Sequence, residues 1–156
     1  MVKRKGSPLF LSIKGGFDNV NTSTLCGMLR AKGANPYLLS CTRSFLTGRS
    51  CRLLFEGSRK VFASFSAGTP QGSRISPLFL VIYVSRLHRE IPHGRTLCLV
   101  DDLAITASSD FYWHNVQLLS TQYVVLKAKG SQLAVSISVP KTKLIQWRTN
   151  RGRDPP

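Results

Sequence analysis

The feature that most constrains the fold is an acidic pair set between two apolar, β-prone runs. Asp101 and Asp102 join the run at residues 97–100 to the run at 103–106. Two such runs around a polar pair predict a β-hairpin with both carboxylates at its tip. Adjacent carboxylates repel each other, and they usually persist together where a cation neutralises them. An ordinary turn is the alternative interpretation, because aspartate is common in turns.

Net charge narrows the class of partner. The chain of 156 residues has 22 Lys and Arg against 7 Asp and Glu, which gives a formal net charge of +15. This imbalance predicts attraction to polyanions, and nucleic acid is the first candidate. An anionic membrane surface is the alternative, but it normally needs a basic amphipathic helix or a lipid anchor, and the sequence shows neither.

Apolar runs and cysteines predict a soluble intracellular protein, with nucleus and cytoplasm left open. The longest apolar run, at 75–84, is too short to span a bilayer, and the run at 8–13 is too short for a signal-peptide core. The cysteines are widely spaced, offer no zinc pattern, and are expected to be buried free thiols. They are Cys26, Cys41, Cys51 and Cys98.

Hydrophobic periodicity predicts an α+β fold, in which helices pack on one face of an antiparallel sheet. We assign residues 9–147 to one domain, preceded by a basic segment at 1–8 and followed by a basic, frayed tail at 148–156. The expected elements are a strand at 9–13, helices at about 21–33 and 35–48, a hairpin at 51–65, a helix at 76–90, the acidic hairpin, a helix at 110–130, and strands at 133–137 and 144–147 that pair with each other.

Local signals place the helix ends. Asn35 and Pro36 predict the N-cap and first residue of the second helix, and Ser76 predicts the N-cap of the third. Asp110 is expected to cap the fourth helix, and Gly130 is expected to end it.

Two of the predicted helices carry distinctive apolar patterns. In the second helix, Leu38, Cys41 and Phe45 recur at helical spacing and predict one apolar face. The third helix is apolar almost without interruption over residues 78–84, which predicts burial on most of its sides.

Three segments, taken in order, closely resemble motifs A, B and C of reverse transcriptases of the non-LTR retrotransposon type. They are residues 10–20, residues 67–78 with the sequence Gly-Thr-Pro-Gln-Gly-Ser at their centre, and residues 99–102. Residues 128–143 resemble motif D, so the resemblance extends from about Leu9 to Trp147. The loop or the acidic pair alone would be weak, whereas their combination is specific.

The resemblance implies a palm domain that catalyses RNA-templated DNA synthesis with Mg²⁺, an RNA template, a DNA primer and deoxynucleotide triphosphates. In such chemistry two divalent ions, about 3.5–4 Å apart, stabilise the attacking and the leaving oxygen. Magnesium prefers hard oxygen ligands, and it keeps several waters, so a few carboxylates suffice.

The resemblance also implies catalytic roles for three residues. Asp101 matches the metal-binding aspartate of motif C, and Asp102 matches its less directly involved neighbour. Lys141 matches the motif D lysine, a possible acid toward the pyrophosphate leaving group. Taken alone, Lys141 would be interpreted as one of many solvated surface lysines.

Three further residues match positions that hold the nucleotide and template. Phe17 matches the bulky motif A residue that crowds the sugar 2′-position and favours deoxynucleotides. Gln71 and Gly72 match the loop that lies against the template and the incoming nucleotide. A core aromatic and an ordinary turn are the respective alternatives.

The chain departs from the family pattern at its first acidic position. Ser12 occupies the place of the motif A aspartate, and a neutral hydroxyl is a poor Mg²⁺ ligand. Asp18 lies beyond the turn and is not expected to replace it. Leu99 stands where an aromatic is usual and is expected to face packing, and Arg74 stands where proline is common.

These departures predict a weak or inactive copy. The resemblance further implies that the fingers are largely missing, because only eleven residues precede Ser12, and that no thumb follows. The first alternative is a non-enzymatic, basic nucleic-acid-binding fragment, and the second is a non-functional remnant that folds poorly. The sequence leaves the oligomeric state open.

Overall fold

A computed structural model describes residues 5–55, 57–89, 91 and 95–147. Residues 1–4 of the predicted basic segment, the whole predicted tail and the predicted end of the third helix at 90 lie outside the described residues. For residues 52, 53 and 58–64 the description covers the backbone alone. The chain divides into two compact units: a sheet unit, within Met1–Lys14 and Arg86–Pro156, and a helical unit, Gly15–Ser85.

Strands and helices alternate along the described residues much as the periodicity predicts. In chain order the elements are β1 (Lys5–Lys14), α1 (Thr22–Ala31), α2 (Pro36–Leu46), β2 (Arg49–Phe55), β3 (Ser58–Phe65), α3 (Ser76–His88), β4 (Thr96–Leu99), β5 (Asp102–Ser109), α4 (Tyr112–Gln132), β6 (Ser136–Ile137), a short 3-10 helix (Val139–Lys141) and β7 (Lys143–Leu144).

The sheet unit is built around β1. The strand order is β4-β5-β1-β6, β7 pairs with β1 as well, and every pairing is antiparallel. α4 contacts β1, β5 and β6, and alternate residues of the two long strands are buried. They are Leu9, Leu11, Ile13, Leu103, Ile105 and Ala107. A helix on an antiparallel sheet is the α+β class that the sequence predicts.

The two final strands do not pair with each other, so that prediction was wrong. β6 pairs with one end of β1, where Ile137 lies opposite Ile13, and β7 pairs further along it, where Leu144 lies opposite Leu9. The 3-10 helix separates them, and both lie along the edge of β1 that β5 leaves free. On that edge Pro8 accepts a hydrogen bond from the backbone N–H of Ile145 but has no N–H to return one.

Both predicted ends of α4 were wrong. The N-cap is Phe111, without a side-chain hydrogen bond, and the hydroxyl of Ser109 rather than Asp110 bonds to the Phe111 backbone. The helix also continues through Gly130 to Gln132. Gly130 serves close packing instead, because an added Cβ would lie 2.9 Å from the carbonyl oxygen of Val135.

The helical unit confirms the predicted start of α2. The side chain of Asn35 accepts a hydrogen bond from the backbone N–H of Leu38 at 2.8 Å, and Pro36 is the first helical residue. Asn21 caps α1 in the same way. Both signals act within three residues, which is why the sequence alone reveals them.

The predicted face of α2 was wrong, and that of α3 was only partly correct. α2 buries the set offset by one residue, Leu39, Thr42 and Leu46, whereas Leu38, Cys41 and Phe45 are exposed. α3 begins at Ser76 itself, whose buried hydroxyl has no hydrogen-bond partner among the described residues. Leu78 and Val81 of α3 are exposed. Periodicity therefore identified the helices but not the side that each one buries.

The structure also bears on the apolar runs and on the cysteines. Among the described residues no helix is both long and apolar enough to cross a membrane. The four cysteines are free, but Cys41 and Cys51 are exposed, so their predicted burial was wrong.

Candidate active site

The predicted acidic hairpin is present and very tight. Leu99 of β4 pairs with Asp102 of β5, and only Val100 and Asp101 form the turn between the strands. Val100 has a φ of 57°, which β-branched residues rarely adopt because their Cβ crowds the backbone. Asp101 is half-buried and Asp102 is exposed, so the turn presents both carboxylates to solvent.

The end of β1 lies directly across from this hairpin. Ser12 is opposite Asp102, and the neighbouring pair is closed by a hydrogen bond from the Ile13 N–H to the Asp101 carbonyl at 2.8 Å. Ser12 and Asp102 are therefore a non-hydrogen-bonded pair, the kind in which facing side chains come closest. Ser12 is only 9% exposed. The backbone thus brings strand end and hairpin tip together, with a hydroxyl on one side and carboxylates on the other.

A cavity of about 970 Å³ lies over this face of the sheet. Ser12, Asp101, Asp102 and Lys141 all line it, so four of the sequence-selected positions meet at one place. Lys141 reaches the cavity from the 3-10 helix that follows β6. The remaining lining includes the exposed apolar side chains Phe10, Leu97 and Leu99 and the residue Lys143.

The donor set suits one hard divalent cation better than two. Asp101 and Asp102 offer carboxylate oxygens, which Mg²⁺ prefers, and water can supply its remaining ligands. Among the described residues, however, no group of three or more His, Cys, Asp and Glu is positioned to hold a metal ion. Ser12 adds an oxygen without charge, so a second ion would lack a carboxylate of its own.

The carboxylates act electrostatically on a neighbouring thiol. Burial raises the pKa of Cys98, and the negative charges of Asp101 and Asp102 raise it further. The thiol of Cys98 therefore stays protonated to higher pH than a free cysteine would.

The other three predicted residues belong to the helical unit. Gln71 is exposed, and its side-chain amide donates to the carboxylate of Asp18 at 3.2 Å. Phe17 is half-buried, and its carbonyl accepts from the backbone N–H of Thr69 at 2.7 Å. Gly72 is exposed, with a φ of +89° and open space around its Cα. The turn with Phe17 and the loop with Gln71 are thus joined by both side-chain and backbone hydrogen bonds.

Sequence reasoning missed Arg49, which binds the backbone of the loop that contains Gln71. Its guanidinium donates to the carbonyls of Leu46, Ala67 and Gly68 at 3.0, 2.9 and 2.7 Å. Nothing in the sequence around Arg49 distinguishes it from the other basic residues, since its acceptors are backbone atoms.

The expectation that Leu99 faces packing was wrong, because its side chain is 75% exposed. β4 is the edge strand, and its alternate residues Leu97 and Leu99 point to the open face rather than toward α4. Arg74 is exposed as well, and nothing in the structure explains its replacement of a proline.

Comparison with known proteins gives one family and a set of solved structures. The model of the family described as reverse transcriptase (RNA-dependent DNA polymerase) matches residues 3–151. No curated protein sequence matches the chain.

Three of the similar solved structures are telomerases of Candida tropicalis. The apo enzyme truncated from its C-terminal domain has a TM-score of 0.70 at 15% identity, covering 96% of this chain and 32% of that chain. The enzyme with the TWJ fragment of telomeric RNA has a TM-score of 0.67 at 15% identity, with 94% and 26% covered. The apo enzyme has a TM-score of 0.67 at 14% identity, covering 94% of this chain and 29% of that chain. The chain spans about a third of these chains or less, and at such identities the likeness shows the fold alone.

Proposed function

The chain belongs to the reverse transcriptase (RNA-dependent DNA polymerase) family, and we propose that its carboxylate-bearing sheet face is a nucleotidyl-transfer site impaired by Ser12. Members of this family use Mg²⁺ and bind nucleic acid. The proposed inherited reaction is RNA-templated addition of deoxynucleotides to a DNA primer. One observation supports both the transfer site and its impairment: in the sheet register, Ser12 lies opposite Asp102.

In this proposal Asp101 and Asp102 would hold the divalent ion. When bound, Mg²⁺ supplies positive charge to the oxygens on which negative charge develops during nucleotidyl transfer. Asp101 is the principal ligand, because it lies in the turn itself, and Asp102 supports it from the first residue of β5. Lys141, which lines the same cavity, would serve as the acid toward the pyrophosphate leaving group.

The proposed nucleotide-holding residues lie in the helical unit. Gln71 and Gly72 would contact the template and the incoming nucleotide, since both are exposed on the loop. Phe17 would crowd the 2′-position of the sugar and so favour deoxynucleotides. The hydrogen bond between Gln71 and Asp18 keeps this loop close to the turn that contains Phe17.

Ser12 weakens the site through its missing charge. A carboxylate at this position would face Asp102 across the sheet and complete a set of three acids, whereas serine leaves two. Removing a metal-binding carboxylate costs on the order of 3 kcal/mol of transition-state stabilisation, or roughly a hundredfold in rate. We expect this copy to behave as a pseudoenzyme or a very slow enzyme.

Primer extension on an RNA template tests this proposal. The chain should extend a primer at or near background, and Ser12→Asp should raise the rate by at least roughly tenfold. Asp101→Ala should remove that gain, while Asp110→Ala, which alters an exposed carboxylate at the far end of β5, should not. Robust extension by the unaltered chain that Asp101→Ala abolishes would overturn the claim of impairment.

A gain from Ser12→Asp is the decisive result for the role of serine. No gain would mean that the missing carboxylate is not what limits the reaction.

We further propose a non-LTR retrotransposon as the origin of the chain. The supporting features are the loop sequence at residues 68–73 and the acidic pair, which together match that type of reverse transcriptase. Nucleotide sequence on both sides of the coding region tests this origin. Remnants of fingers and thumb in any reading frame would support it, and unrelated sequence on both sides would contradict it.

Net charge favours a second candidate function, binding nucleic acid without catalysis. The chain has 22 basic and 7 acidic residues, and this imbalance predicts electrostatic binding with a steep salt dependence and little sequence preference. A related fold is found in telomerase bound to a fragment of telomeric RNA. Binding measured over a range of salt concentrations tests it, and an affinity that does not change with salt would contradict it.

A further inference from the structure

The sheet unit carries a second cluster of exposed functional groups at the opposite end of its two long strands. Lys5 pairs with Ser109 at this end, whereas Ser12 pairs with Asp102 at the acidic end. Seven residues of extended strand separate the two ends, a distance of about 23 Å. We call this second cluster the aromatic end; its residues are Lys5, Arg95, Asp110, Phe111, Tyr112, Trp113 and His114.

The rings of the aromatic end are stacked and open to solvent. The centroids of Phe111 and Trp113 lie 6.2 Å apart with 30° between the ring planes, and those of Trp113 and His114 lie 5.6 Å apart with 25°. Trp113 is 62% exposed and Phe111 is 56% exposed. Large aromatic rings seldom remain so open in a group unless they bind something.

Cations are held beside these rings. The ammonium of Lys5 lies 5.0 Å from the ring centroid of Tyr112 and 5.8 Å from that of Phe111, within cation–π range. Arg95 is exposed and lines a cavity of about 590 Å³ together with Phe111, Trp113 and His114. The one acidic side chain in this lining is Asp110. A cavity of this volume accommodates a nucleotide-sized ligand.

We propose that the aromatic end is a second nucleic-acid site, which binds unpaired nucleotides of single-stranded RNA or DNA. Exposed aromatic rings next to cations are the combination that such strands require, since bases stack on the rings while phosphates meet the cations. A duplex would use the cations but could not offer its bases to the rings. An acidic peptide would likewise leave the rings unused.

Each group has a distinct part in this site. Trp113 and His114 provide the stacking surface, and Arg95 and Lys5 neutralise the adjacent phosphates. Asp110, the acidic side chain of this lining, lies where it can accept hydrogen bonds from base N–H groups, and adenine is favoured over uracil because its larger ring system stacks more strongly. The site needs neither Ser12 nor the acidic pair, and it stands or falls independently of the proposed polymerase activity.

Tryptophan fluorescence tests the site without substituting any of its seven residues. The chain has two tryptophans, so Trp147→Phe leaves Trp113 as the single reporter. A short single-stranded oligoadenylate should quench its emission at low concentration, and oligouridylate and a duplex of equal length should do so only at higher concentration. Emission that stays unchanged at saturating oligonucleotide would overturn the proposal. Quenching by an oligoglutamate peptide but not by oligonucleotide would assign the surface to acidic peptides instead.

Substitution at Trp113 measures the stacking contribution. Trp113→Ala should weaken the binding of the single strand by roughly 5- to 100-fold, which corresponds to one stacked base, and Trp113→Phe should restore part of it. Tyr37→Ala is the matched control, because Tyr37 is an aromatic residue of α2 that is 79% exposed. Equal affinities for Trp113→Ala and Tyr37→Ala would contradict the site. If Trp113→Ala does not fold, the fluorescence titration alone decides.

Discussion

Two loops contribute residues to the proposed reaction, and they are built in opposite ways. The loop at Gly68 in the helical unit is held by hydrogen bonds on several sides. The backbone N–H groups of Gly68 and Thr69 donate to the carbonyls of Val20 and Phe17. The Arg49 guanidinium donates to the carbonyls of Ala67 and Gly68. Gly68 also adopts a φ of +87°, which glycine tolerates without strain.

Among the described residues, the acidic turn in the sheet unit is held by fewer contacts of this kind, a hydrogen bond from the Ile13 N–H to the Asp101 carbonyl and a long one from the Cys98 thiol to the Val100 carbonyl. Val100 adopts its φ of 57° against the preference of a β-branched residue, and the turn is held in shape by the pairing of β4 and β5. The uncharged loop is therefore held in shape by hydrogen bonds that its own backbone makes. The charged turn takes its shape from the sheet, which leaves both carboxylates free to face solvent.

The strongest test of this difference is Gly68→Ala. The added Cβ would lie 2.7 Å from the Asp18 carbonyl oxygen and 3.0 Å from that of Phe17, and the backbone would be strained as well. We expect the free energy of unfolding, measured with urea, to fall by about 3 kcal/mol. Gly72→Ala is the control, since Gly72 has the same φ but open space, and it should cost only about 1 kcal/mol. Equal losses would show that the loop is not tightly packed.

Arg49→Met should produce the next largest loss. It removes three hydrogen bonds and leaves the carbonyls of Ala67 and Gly68 without that donor, which costs about 2 kcal/mol of unfolding free energy. Arg43→Met, at an exposed position of α2, should change the urea midpoint very little. A similar loss in both variants would mean that Arg49 acts only through its charge.

Ser12→Asp should make the stability of the sheet unit depend on metal. A third carboxylate in this nearly buried position, facing Asp102, should lower the unfolding free energy by about 1–2 kcal/mol without divalent ions. Mg²⁺ or Mn²⁺ should restore the melting temperature, because a bound cation stabilises the folded state. Ser12→Asn, neutral and similar in size, should show no response to metal. A melting curve of Ser12→Asp that Mg²⁺ leaves unchanged would contradict the cation site.

Val100→Gly should stabilise the protein, which distinguishes the acidic turn from the Gly68 loop by the sign of the effect. Glycine relieves the strain at φ 57° and should raise the unfolding free energy by up to about 1 kcal/mol. Val124→Gly in α4, where the backbone is helical, should lower it by about as much. Destabilisation by Val100→Gly would show that the turn is not strained.

Alkylation of Cys98 gives the smallest effect, and it reports the charge of the acidic turn. Burial and both carboxylates raise the pKa of Cys98, so its reaction with iodoacetamide should begin at higher pH than that of free cysteine. Asp101→Asn removes one negative charge, which lowers that pKa and moves the profile to lower pH. Peptide mass spectrometry over a pH series measures all the thiols at once. An unchanged profile in Asp101→Asn would mean that burial alone controls the thiol.

Local signals in the sequence predicted local structure well. The Asn35 cap and the acidic hairpin each depend on residues within a few positions of one another, and both were confirmed. The cap assigned to Asp110 failed because the helix begins one residue later than expected, with Phe111 as an N-cap that has no side-chain hydrogen bond. The stop assigned to Gly130 failed because the glycine serves a contact with Val135, and a helical pattern cannot reveal such a contact.

Long-range features of the site were predicted only through the motifs. The order of motifs A and C selected Ser12, Asp101 and Asp102, and the sheet register places them together. Arg49 escaped notice because its partners are backbone carbonyls, which have no sequence signature. The pairing of β6 and β7 was missed for a related reason, since strand partners far apart in the chain leave no local pattern.

β1 is synthesised long before the strands that pair with it. Its partners in β5 and β7 come about a hundred residues later or more. Until they emerge, the apolar side chains of Leu9 and Leu11 have no strand to pair with. Such distant pairing makes folding slow and exposes the nascent chain to aggregation, so efficient production of this protein should depend on chaperones that shield β1.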